Sequence, residues 1–74
     1  MNGGPWEVIL FPSVHHVLRA EKLLKEAGLP CKLIPIPRNL SSDCGVCLRF
    51  DSPSRPRIEE ILRGRVEMEN ILPL

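Results

Sequence analysis

The chain predicts an α+β fold: a four-stranded antiparallel sheet with two helices on one face. Three observations lead there. Short apolar runs and helix-period stretches follow one another as strand, helix, strand, strand, helix, strand. The second strand is flanked and interrupted by Pro35 and Pro37, which cannot donate ladder hydrogen bonds and so belong at a sheet edge. Residues 46–50 alternate cleanly between apolar and other side chains, as strands with two unlike faces do. That order is the split βαβ, or ferredoxin-like, arrangement (βαββαβ). It makes the first and third strands central and the second and fourth edges, and leaves the helix-free face open.

Each element has its own reason. Residues 1–5, Met1 to Pro5, read as a flexible leader, and 6–74 as a single domain. Trp6 to Phe11 is a short, mostly apolar run closed by Pro12-Ser13, the pattern of a buried strand. Ser13 is placed to cap a helix by accepting a backbone N–H bond. From Val14 to Ala27, the positions Val14, Val17, Ala20, Leu24 and Ala27 recur at spacings of three and four. Leu18 and Leu23 widen this stripe, and Arg19, Glu21, Lys22, Lys25 and Glu26 supply the polar face. Gly28 sits where a left-handed C-cap belongs, and Pro30 blocks continuation. Cys31 to Ile36 is the proline-marked edge strand. In residues 46–50, Val46, Leu48 and Phe50 face one side, and Cys47 and Arg49 the other. Ser52-Pro53-Ser54-Arg55-Pro56 opens a second helix, with proline tolerated in its first turn. Ile58, Ile61 and Leu62 form its stripe, Gly64 ends it, and Val66 to Leu72 reads as the last strand.

Composition narrows the function. At 74 residues there is room for one small domain, which buries only about 60% of its unfolded surface. A net charge of +1 lacks the basic excess of a nucleic-acid binder, and the absence of tyrosine weakens any base-stacking role. No apolar run approaches the roughly 20 residues that cross a bilayer, and the N-terminus has no signal-peptide pattern. Three cysteines are an odd number for a disulfide framework and fit reduced thiols in the cytoplasm. No nucleotide-binding glycine loop, hydrolytic triad or paired-carboxylate site is present, so a chain with its own turnover is not expected, and no cofactor is implied.

Chemistry concentrates at Cys44. It lies in Arg38-Asn39-Leu40-Ser41-Ser42-Asp43-Cys44-Gly45, a polar loop between two apolar runs, where scaffolds present functional groups. In the predicted topology this loop and the start of the first helix share one end of the sheet. Cys44 then lies near Ser13, Val14, His15 and His16, beside the unpaired N–H groups and partial positive charge of a helix N-terminus. Such a setting, with nearby cations such as Arg38, favours a thiolate, while Asp43 opposes it. Ser41, Ser42 and the backbone around Gly45 could bind an anion in the same pocket.

Phe11-Pro12-Ser13, Glu21-Lys22-Leu23-Leu24, Lys32-Leu33-Ile34-Pro35, Pro37-Arg38 and Ser41-Ser42-Asp43-Cys44-Gly45 together resemble the small bacterial domain family called putative Se/S carrier protein-like. The same domain occurs behind a SirA/TusA-like domain in a selenium-metabolism protein. The resemblance implies that the carrier cysteine is Cys44, with the proline–arginine pair on Pro37 and Arg38 and the strand-to-helix serine on Ser13. It implies a persulfide or selenide passed from a cysteine desulfurase or selenium donor protein to an acceptor protein. Cys47 departs from the apolar residue usual at its position.

Other readings stay open at this point. Cys44 could be a turn residue with no chemistry. Cys44-Gly45-Val46-Cys47 is formally a C-x-x-C with Cys47 as a second thiol. Residues three apart in extended chain are roughly 10 Å apart, beyond the about 7 Å between Cα atoms that a disulfide accepts. A turn at Gly45 could shorten that gap. A zinc site would need Cys44, Cys47, His15 and His16 together, at a spacing of no standard finger. His15 and His16 could serve as an acid–base pair, or lie idle on the helix surface. Cys31 packs. The contrasting class is a non-catalytic interaction module whose open face could pair two copies.

Overall fold

In a computed structural model, residues 6–40 and 44–74 are described. Strand β1 (Trp6–Leu10) is followed by helix α1 (Val14–Glu26), strands β2 (Lys32–Pro35) and β3 (Val46–Asp51), helix α2 (Arg55–Leu62) and strand β4 (Asn70–Pro73). The sheet order is β2-β3-β1-β4, and all three pairings are antiparallel. The fold is α+β and ferredoxin-like. The proline-bearing strands β2 and β4 are its edges, where a missing N–H costs no ladder bond.

The central pairing sets Trp6 opposite Asp51 and Ile9 opposite Leu48. With a side-chain period of two, Ile9 and Phe11 of the first strand and Leu48 and Phe50 of β3 point to the helices. They meet Val17, Ala20 and Leu24 from α1 and Ile58 and Leu62 from α2 in one buried cluster. Glu7 faces the same way and is held by Arg55, whose Nη1 donates to its Oε1 at 3.0 Å while Nε donates to Glu59 at 3.3 Å. The i,i+4 pair of Lys25 and Glu21 forms at 3.3 Å. The stripe of α1 is narrower than its spacing predicted. Val14 and Leu18 are 43% and 49% exposed, because at about 100° per residue they fall on one flank of the Val17–Leu24 line.

Two further expectations change. The last strand begins later than Val66. After α2 the chain turns at Gly64 (φ +78°), and the Val66 N–H donates to the Leu62 carbonyl at 2.9 Å. Val66 is therefore a plug in the helix-side core, not a ladder residue. Pairing resumes where the Glu69 N–H reaches the Leu10 carbonyl at 2.7 Å. The helix-free face is not bare either. Val8, Leu10 and Cys47 are buried there as a second cluster, with Ile34, Ile36, Leu40 and Leu72 packed against it. The segment after β2 folds back, its Leu40 N–H donating to the Pro37 carbonyl at 3.0 Å, and carries Leu40 onto the sheet.

The Val66 assignment is testable. Val66→Ala should cost about 1–2 kcal/mol in denaturant unfolding, as loss of buried methyl groups does. Glu67→Ala, next door and exposed, should stay within about 0.5 kcal/mol. Equal small effects would return Val66 to an ordinary strand position.

Candidate functional site

The site begins where β1 hands over to α1. Pro12 stops the ladder, and Ser13, with extended backbone angles, is the N-cap of α1. Its carbonyl accepts the N–H groups of His16 and Val17 at 3.1 and 3.2 Å. Its hydroxyl lies 2.7 Å from His16 Nδ1 and 3.5 Å from the His16 backbone nitrogen. With Nδ1 unprotonated the hydroxyl donates to the ring and accepts the backbone N–H. His16 is thus tied into the cap and half-buried, whereas His15 is exposed.

The other side of the site is the β2–β3 connection. The Ile36 N–H donates to the Gly45 carbonyl at 3.2 Å and closes its base. Gly45 has φ +81°, a left-handed conformation that glycine adopts without steric cost, and this turns the chain from Cys44 into β3. The antiparallel β1–β3 pairing puts the start of β3 at the end of the sheet from which α1 starts. Cys44, the residue before Gly45, therefore lies at that end, with Arg38 in the same β2–β3 connection. Cys44 is half-buried and packs against the helix-side core, and Arg38 is exposed. Ser41 and Ser42 lie outside the described residues.

The three cysteines are thiols, none in a disulfide, and they differ in setting. Burial pushes the Cys47 thiol up, and the charge of an ionised Cys44 adds to that. Cys47 is wholly buried on the helix-free face, while Cys44 packs toward the helices. Cys31 packs against the helix-side core. Its thiol is also pushed up, first by burial and then by Glu21, with Lys25 partly opposing. Among the described residues, no three His, Cys, Asp or Glu side chains gather closely enough to hold a metal ion. None of the described helices is long and apolar enough to cross a membrane.

Sequence reasoning missed one arrangement at the far end of β3. The Arg49 guanidinium carbon lies 4.5 Å from the centre of the Trp6 ring. The alternation that put Arg49 on the helix-free face, applied equally to Trp6, puts both on one face, but that they meet depends on the cross-strand register.

Comparison with known proteins places the chain. It is 32% identical over 60 residues to the Escherichia coli (strain K12) protein named "Uncharacterized protein YtiA", an alignment covering 81% of this chain and 71% of that one. No solved structure matches. The family described as "Putative Se/S carrier protein-like" matches residues 7–73, nearly the whole described fold with both sides of the Cys44 turn, and the chain belongs to that family.

Proposed function

We propose that the chain carries a single sulfur or selenium atom on Cys44, as a persulfide or its selenium counterpart, between a donor and an acceptor protein. What supports this reading is the setting of Cys44, half-buried in the turn that enters β3, at the end of the sheet from which α1 starts. Backbone N–H groups without intrahelical partners and the helix dipole favour an anion there. Arg38 adds an exposed cation at the loop's start. Membership of a carrier-type family points the same way.

The transfer needs no outside oxidant. The Cys44 thiolate attacks the terminal sulfur of a donor's cysteine persulfide, the donor's S–S bond breaks, and the donor cysteine leaves as a thiolate. A nucleophile on the acceptor then attacks the terminal atom, and Cys44 leaves as a thiolate in turn. The chain is consumed and regenerated stoichiometrically, in a reducing compartment such as the cytoplasm. A cysteine desulfurase is the simplest donor. Cys44 acts alone in this scheme, because Cys47 is wholly buried. Pairing of two copies through the helix-free face has less support, since Val8, Leu10 and Cys47 are already covered within the chain.

Incubation with a cysteine desulfurase and cysteine, followed by mass spectrometry of digested protein, tests the reading. One added sulfur should appear on the peptide that holds Cys44 and disappear in Cys44→Ser. Sulfur on Cys31 or Cys47 at the same rate as on Cys44, or on none of the three, would count against it.

Arg38 provides a second test. Arg38→Ala should change stability by no more than about 0.5 kcal/mol, as exposed substitutions do. It should slow alkylation of Cys44 at fixed, mildly acidic pH. Arg38→Lys should keep part of the rate, because the charge survives and the fork geometry does not. Superimposable rate–pH curves for the three proteins would remove Arg38 from the site. A large drop in Tm for Arg38→Ala would make it a residue that holds the loop.

A further inference from the structure

The far end of the helix-free face holds a second feature, independent of the Cys44 reading. Cys44 precedes Arg49 by five residues of nearly continuous strand, up to about 17 Å at the strand rise. A cavity of ≈ 130 Å³ lies there, lined by Trp6, Pro30, Cys31, Lys32, Arg49 and Asp51. Cavities that take drug-sized ligands or cofactors are several times larger, so its occupant is a group of a few atoms.

The charges around it are unbalanced. Lys32 on β2 and Arg49 on β3 are direct cross-strand partners, and like charges in that relation repel. Among the described residues neither has a carboxylate within ion-pair distance. The one acid of the groove, Asp51, accepts the Ser54 hydroxyl at 3.0 Å. Arg49 Nε is buried without a hydrogen-bond partner among the described residues, a costly state for a guanidinium N–H. The Trp6 ring stacks on the guanidinium and gives it a flat wall.

From these features we propose that the groove binds a small free oxyanion of the sulfate or phosphate kind, between Arg49 and Lys32. The anion separates the two cations, relieves their repulsion and accepts the unused Arg49 donors. Arg fork geometry suits two oxygens of one oxyanion. To offer Nε the guanidinium tilts partly off the indole ring. Trp6 is 40% exposed, so its ring has room to follow. Asp51 opposes the anion and keeps the affinity modest.

Trp6 is the one tryptophan of the chain, so its fluorescence and its indole N–H resonance report on the groove alone. Titration with sodium sulfate or sodium phosphate, against sodium chloride at matched ionic strength, should give a saturable change, with Kd on the order of millimolar as expected for so small a ligand. Arg49→Gln should abolish saturation. Lys32→Gln, at an exposed edge position, should weaken binding about two- to fivefold, the scale of a solvent-exposed ion pair. Asp51→Asn should tighten it by a similar factor. A chloride curve matching the sulfate and phosphate curves would overturn the site. So would a response to sodium acetate alone, which would assign the groove to carboxylates, or saturation unchanged in both Lys32→Gln and Asp51→Asn.

Discussion

The pairing of β1 with β3, with Ile9 opposite Leu48, is the constraint on which the remaining structure depends. Side chains alternate along both strands, so a slip of one residue would exchange every inward residue for an outward one. Phe11, Leu48 and Phe50 would leave the helix-side core, and Val8, Leu10 and Cys47 would enter it. The two buried clusters, one under the helices and one on the opposite face, therefore hold the register from both sides. The same pairing puts the start of β3 at the end of the sheet from which α1 starts. Whatever stabilises the central pair thus also decides at which end of the sheet Cys44 lies.

The two ends of β3 are chemically unlike because the chain treats them differently. At its start the backbone turns through Gly45, at the end of the sheet from which α1 starts. At its end lie Arg49, stacked on Trp6, and Asp51, bonded to Ser54. Cys47 lies between them and is wholly buried. Its full burial against Leu10 and Val8 explains a cysteine where an apolar residue would serve as well, since a buried thiol packs as a small hydrophobe. The C-x-x-C spacing is in this view a coincidence of a turn cysteine and a core cysteine.

Much of this fold could be read from residue order, and the parts that could not have physical reasons. Pro35 and Pro37 mark an edge because of missing donors, and Ser13 and Gly28 bound α1 by capping and by a left-handed turn. These are local signals. Val66 carried no such signal. It sits in an alternating apolar stretch with Met68, and only the bond from its N–H back to Leu62 shows that the helix end, not the sheet, claims it. The cover of Leu40 and Ile36 over Val8 and Cys47 was equally hidden, because a loop has no period from which a buried face can be read. The end of the sheet at which Cys44 lies followed from topology alone, whereas the stacking of Arg49 on Trp6 needed the cross-strand register.

The site-resolved alkylation rate of the three cysteines, in the folded protein and in urea, tests the placement of Cys44 most directly. A thiol beside a helix N-terminus should react faster than one in unfolded chain. Cys31 and Cys47, held protonated by burial, should react more slowly folded than unfolded. The account predicts that folding accelerates Cys44 near neutral pH while it protects the other two. A Cys44 that labels no faster in the folded protein than in urea would contradict it, leaving a half-buried turn residue with no chemistry of its own.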